Sequence, residues 1–126
     1  MQGALVVGWD NMDSMPHLNE AAVLHNLRRR FANGLIYTST GPILTALNPF
    51  CPLEIYGADA IKMYNCEDVA PLASHVFRAA QAAYRAMLTT RTNQALIISG
   101  ESGAGKTETT KLLLKFLSCT TSSERG

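Results

Sequence analysis

Apolar residues recur three and four positions apart over residues 14–31, at Leu18, Ala21, Ala22, Leu24, Leu27 and Phe31, which is the rhythm of one helix face. Asp13 and Ser14 are candidate caps, and Asn33-Gly34 is a stop signal. The period then changes. Leu35-Ile36-Tyr37-Thr38 is rich in strand formers, Ser39-Thr40-Gly41-Pro42 is a turn cluster, and an apolar run resumes at Ile43 and ends at Leu47. This is the pattern of a β-hairpin, closed by Asn48-Pro49. Pro49 and Pro52 impose an extended connection over 50–56, and residues 58–64 suit a short helix before Asn65. Pro71 opens a predicted helix over 71–88, with Val76, Ala80, Ala83 and Met87 on one face and a break at 89–93. Residues 94–99 contain three consecutive apolar positions, Leu96-Ile97-Ile98, and predict a strand buried on both faces in a mostly parallel sheet. A glycine-rich loop follows, then a helix over 106–118 with Leu112, Leu113, Phe116 and Leu117 along one side. Residues 120–126 read as a frayed polar tail. No internal repeat is visible.

Composition narrows the class. A chain of 126 residues has room for one ordinary domain, and 47% hydrophobic with 17% charged residues is a globular proportion rather than that of a disordered chain. A formal net charge of +1 lacks the basic excess of a protein that neutralises phosphate backbone, so no nucleic-acid partner is expected. Cys51, Cys66 and Cys119 are widely spaced without a CxxC pair, which argues against a disulfide framework or zinc site and fits a reducing compartment. No stretch approaches the roughly 18 apolar residues of a membrane-spanning helix, and the first residues lack a basic leader. The expectation is a soluble intracellular protein.

The chemistry concentrates at Gly100-Glu101-Ser102-Gly103-Ala104-Gly105-Lys106-Thr107, a full match to the P-loop pattern GxxxxGK[ST]. Glycines let the backbone turn its amides onto phosphate oxygens, and a helix N-terminus adds a dipole that favours anions. Lys106 would reach the β- and γ-phosphates, and Thr107 would offer its hydroxyl to Mg²⁺. The predicted strand before the loop and helix after it are the context this motif requires. Hydrolysis also needs a carboxylate near Mg²⁺ and groups that orient water. Nineteen residues follow Thr107, and the helix and tail consume them, so the chain is expected to carry half of a catalytic site. The run from Leu5 to Asp10 superficially resembles an apolar strand ending in a metal-binding Asp. An ordinary acidic residue is the preferred reading, because such a carboxylate usually follows the P-loop helix.

Asn93-Gln94-Ala95-Leu96-Ile97-Ile98-Ser99 running into GESGAGKTE resembles the start of a myosin motor domain. Other segments agree in order: Asp10-Asn11-Met12, Leu18-Asn19-Glu20, Val23-Leu24-His25-Asn26-Leu27, Arg30-Phe31, Ile36-Tyr37-Thr38, Asn48-Pro49-Phe50, Ile55-Tyr56, His75-Val76-Phe77, Ala83-Tyr84 and Met87. The resemblance implies an α/β chain, a P-loop NTPase-type mixed sheet with flanking helices, that forms an incomplete piece of a larger motor head. It divides the chain into an N-terminal extension (1–9), a motor portion (10–119) and a polar tail (120–126). It implies ATP and Mg²⁺ as cofactors, actin filaments as a partner through regions outside this chain, and a cytoplasmic, cytoskeleton-associated setting. The parent would be an actin-activated ATPase. By the same resemblance Asn48, Pro49 and Tyr56 match the adenine-contacting loop, and Ser102 matches the serine that faces the γ-phosphate beside Lys106. Glu101 and Ala104 complete the loop with Gly100, Gly103, Gly105 and Thr107. Without the family, Asn48-Pro49 is a strand-ending turn. The sequence departs from the family's pattern at Cys51-Pro52-Leu53-Glu54, at Thr109 and, more mildly, at Thr45 and Ala95.

Other features take plain readings. Arg28-Arg29-Arg30 reads as a solvated helix end, His17, His25 and His75 as surface or packing residues, and Met12, Met15, Met63 and Met87 as core filler. The alanine-rich stripe of 71–88 reads as close packing of a helix. Two alternatives stand beside the motor: a small P-loop kinase or nucleotide-binding protein, which needs an acidic Mg²⁺ ligand such as Asp10, and a non-catalytic interaction module derived from a truncated head.

Overall fold

The computed structural model describes residues 7–123, so residues 1–6 of the expected extension and 124–126 of the expected tail lie outside the described residues. Two compact units divide the chain, Met1–Pro49 and Phe50–Gly126.

In the first unit a 3-10 turn at Met12–Ser14 precedes helix α1 (Glu20–Ala32) and strands β1 (Tyr37–Thr40) and β2 (Ile43–Ala46). The predicted helix over 14–31 therefore starts later. Met15 precedes Pro16 and is extended, as a residue before proline prefers, and Asn19 caps α1 by accepting from the Ala22 amide at 2.9 Å. The stop falls where expected: Asn33 and Gly34 return their amides to the last turn, with Gly34 at φ 78°. β1 and β2 pair antiparallel from Tyr37↔Ala46 to Thr40↔Ile43. The hairpin is real but its first strand runs two residues further than its apolar run, because the connection is only Gly41-Pro42. Gly41 takes φ 57°, which the first position of a tight hairpin turn demands, and proline at the second position excludes the type that needs positive φ at both. The segment at Asp10 and Asn11 lies beside β1: the Ser39 amide donates to Asp10 O at 2.8 Å, and Asn11 bridges Ser39 in parallel.

The inward face of α1 is not the apolar stripe. Leu18, Leu24 and Phe31 are exposed, whereas Asn26 and Arg30 are buried. The Asn26 side chain clasps the Trp9 backbone, accepting from its amide at 2.7 Å and donating to its carbonyl at 2.9 Å. Arg30, 5% exposed, spends its guanidinium on four acceptors: Thr38 Oγ1 (2.9 Å), Val7 O (2.9 Å), Tyr37 O (3.1 Å) and Asp10 Oδ1 (3.0 Å). The solvated reading of the arginine run is thus corrected at its third residue. A planar fork with five donors can close several carbonyls at once, which a helix-end cation in water never does.

The second unit holds α2 (Ala58–Tyr64), α3 (Val76–Thr90) and α4 (Lys106–Ser123), packed on one another. α2 has the predicted bounds. α3 begins five residues after Pro71, because His75 takes the cap: its Nδ1 accepts from the Phe77 amide at 2.9 Å. Pro71 instead sits in a turn, whose carbonyls at Val69 and Ala70 receive Arg78 at 3.0 and 3.1 Å. α3 ends on Arg91 in the left-handed conformation at φ 55°. The fully buried Phe77 and Phe116 stack with centroids 5.0 Å apart, joining α3 to α4, and Tyr64, Val76, Ala80 and Leu113 are buried with them. α4 has the expected apolar side but runs on to Ser123. Thr120 is buried with its hydroxyl on Phe116 O, so a residue assigned to the frayed tail is packed.

Two further expectations are corrected. Residues 94–99 form no strand, and Ile97 is 91% exposed, since a strand needs a ladder partner and none of the described residues supplies one. The mixed sheet accordingly reduces, among the described residues, to helices and one two-stranded antiparallel sheet. Met12 is core as expected, but Met63 and Met87 are exposed.

Replacing Arg30 by Met should lower unfolding free energy by about 2–4 kcal/mol in a urea titration, because several buried acceptors lose their donor, while Arg29→Met should change it by less than about 0.5 kcal/mol.

Candidate functional site

Residues 100–105 form a loop leading into α4, whose first two residues are Lys106 and Thr107. The Thr109 amide bonds Gly105 O at 3.0 Å as α4's first main-chain bond, so the amides of Lys106, Thr107 and Glu108 are the first-turn donors that a helix cannot satisfy internally. A turn in the loop closes from the Ala104 amide to Glu101 O at 3.1 Å. Gly103 and Gly105 take φ 84° and 107°, which other residues adopt only at a cost, and a Cβ on Gly100 would press on the Ala104 methyl at 3.2 Å. Lys106 reaches back across the loop, its Nζ donating to Gly100 O at 2.6 Å. That contact folds the Lys106 ammonium back onto the first residue of the loop, and the same short stretch carries the first-turn amides, donors of the kind that suit an anion. Glu101, Ser102, Ala104 and Thr107 are exposed along the loop and first turn.

The remaining sequence-predicted residues divide between the units. Asn48 and Pro49, both half-buried, close the first unit, whereas Tyr56 lies in the second, as does the loop. The Tyr56 ring meets His75 edge-on at 5.4 Å and Phe77 at 6.0 Å, and its carbonyl accepts from Lys115 Nζ at 2.8 Å. His75 also stacks on Tyr64 at 4.9 Å and places Nε2 2.9 Å from Ile55 O. Because its Nδ1 accepts the Phe77 amide, the bond to Ile55 is a donation from Nε2–H, which defines a neutral tautomer. Burial holds the His75 pKa below the ordinary value, and the weaker opposing influence is the Ile55 hydrogen bond, which favours the protonated ring.

Asp10, the candidate metal carboxylate of the kinase alternative, is paired with Arg30. Among the described residues no group of three or more His, Cys, Asp or Glu is placed to hold a metal ion, and no helix is long and apolar enough to cross a membrane. Sequence reading missed Lys115 altogether and gave His75 only a surface or packing role. The one available signal was His75 two residues before a buried aromatic, a spacing that fits a cap.

The family model for the myosin head (motor domain) matches residues 9–126. The chain belongs to the myosin head family. It is 51% identical to Myosin-H heavy chain of Dictyostelium discoideum over 109 residues, covering 86% of this chain and 6% of that protein. Identity to Myosin-VIIa of Drosophila melanogaster is 46% over 117 residues (93% of this chain, 5% of the relative), and to unconventional myosin-IXa of Mus musculus 45% over 118 residues (94% and 5%). The chain thus spans about one-twentieth of the length of these relatives and corresponds to an N-terminal portion of the myosin head.

The folded chain takes up a proton at His75 less readily than the unfolded chain does, so stability is greatest above the ordinary value of about 6.5 and falls as pH drops through it. The urea midpoint should therefore be lower at pH 5 than at pH 7.5. His75→Asn, which keeps a capping side chain without titrating, should shrink that difference.

Proposed function

We propose that this chain is the nucleotide-binding segment of an actin-based myosin motor, which couples ATP hydrolysis to movement along actin filaments in the cytoplasm. The observation that supports this reading most directly is the loop at 100–107, folded back by Lys106 onto Gly100 O at the N-terminus of an 18-residue helix, in a chain of the myosin head family.

The residues fit a triphosphate. First-turn amides and two positive-φ glycines allow close backbone approach to phosphate oxygens, and the Lys106 ammonium can exchange its carbonyl partner for them. The Thr107 hydroxyl, exposed at the second helical position, suits one ligand site of Mg²⁺, an ion that draws its other ligands largely from phosphate and water. When bound, Mg²⁺ would neutralise charge on the transferring phosphoryl group. In this reading Ser102 faces the γ-phosphate, and Glu101 and Ala104 contribute loop backbone. Tyr56 meets the adenine with its ring. Actin would be engaged by parts of a motor outside these residues. The pairing of Asp10 with Arg30 weighs against Asp10 as the metal ligand of the kinase alternative.

Lys106→Ala should weaken Mg-ATP binding to the intact protein by roughly ten- to a hundredfold in calorimetric titration, the loss expected for a hydrogen-bonded charge. Unchanged affinity would sink the assignment. The 126-residue chain alone spans about one-twentieth of the length of its relatives and is expected to carry only half of a catalytic site, so its ATP turnover should stay at background. Mg-dependent turnover abolished by Lys106→Ala would contradict that.

A further inference from the structure

We propose that Lys115 is a positioning residue that fixes Tyr56 relative to the phosphate loop, so that the base contact and the phosphate contacts are set by one helix. The inference rests on the nucleotide reading of the loop and of Tyr56.

Tyr56 has no regular structure to hold it. It lies in the irregular connection before α2. Two side chains grip the backbone of this connection, one at Ile55 and one at Tyr56. His75, at the start of α3, donates to Ile55 O at 2.9 Å, and Lys115, on α4, donates to Tyr56 O at 2.8 Å across 59 residues of sequence. The ring is tied to the same stretch of α4 by a second route, since Tyr56 meets Phe77 at 6.0 Å and Phe77 stacks on Phe116 at 5.0 Å. Backbone and ring of Tyr56 are therefore both referred to adjacent residues, 115 and 116, of one helix.

That helix begins at Lys106, whose ammonium crosses the loop. Lys115 lies nine residue steps along the α-helix from Lys106, about 13.5 Å of stiff rod at roughly 1.5 Å per residue. A helix does not stretch by a fraction of a turn, so a phosphate group seated at its N-terminus and a base referred to its middle are held at a set spacing. Lys115 is solvent-exposed, and an exposed side-chain hydrogen bond contributes little to stability. The effect belongs in ligand discrimination rather than in folding, which separates a positioning role from a merely structural one.

The test compares Mg-ATP with inorganic tripolyphosphate, which carries the phosphates without the base. Both are titrated by calorimetry into the intact protein, with Lys115→Met, Lys115→Arg and Lys106→Ala alongside wild type and urea midpoints measured for each. Lys115→Met should weaken ATP about three- to tenfold with tripolyphosphate affinity and urea midpoint unchanged, and Lys115→Arg should retain most of the ATP affinity. If Lys115→Met leaves the ratio of the two affinities as in wild type, whether both fall or neither does, the positioning role is overturned. Lys106→Ala should weaken both ligands. If it weakens neither, or wild type binds neither, the nucleotide reading itself fails, and the inference fails with it.

Discussion

The stacked pair Phe77 and Phe116 is the contact on which the second unit depends. A helix cannot use its own first amides, and those amides recognise an anion only if the helix end stays where it is. Two fully buried rings, each worth about 1.5–3 kcal/mol of burial, hold α4 against α3 from ten residues inside the helix. With its body immobile, the loop at its N-terminus inherits a fixed direction. The polar contacts around Tyr56 add register to a placement that the hydrophobic contact has already made.

The first unit solves the same problem with polar groups. It buries few large apolar side chains, and its inward helix face carries Asn26 and Arg30. Each does what a neighbouring strand would otherwise do, closing backbone carbonyls and an amide of irregular chain at Val7 and Trp9 and the carbonyl of Tyr37. Buried polar groups tolerate few arrangements, because each unmade bond is expensive, so this packing specifies geometry more than it adds stability.

Features encoded within a few consecutive residues were legible in the sequence. The loop at 100–107, α2 at its stated bounds, the hairpin and the apolar side of α4 depend on spacing, turn chemistry and glycine, all local. What escaped depends on distant partners. Arg30 looks like any member of a basic run, and only acceptors at residues 7, 10, 37 and 38 make it a buried hub. The helix start that the proline rule placed at Pro71 falls after His75 instead, since a side-chain acceptor at 2.9 Å satisfies an amide that proline merely removes. Residues 94–99 show the reverse failure: apolar content marks a segment capable of pairing, and pairing needs a second strand. The link from Lys115 to Tyr56 has no local signature at all.

The clasp of Asn26 on Trp9 has an optical consequence. Trp9 is the chain's single tryptophan and belongs to the first unit, whereas most of the helix, in α2, α3 and α4, belongs to the second. Indole emission therefore reports first on the unit that contains it, and far-ultraviolet dichroism mainly on the other. The chain carries two native reporters that distinguish its halves without any added label, and the agreement or divergence of their melting curves measures whether the halves come apart as one cooperative body.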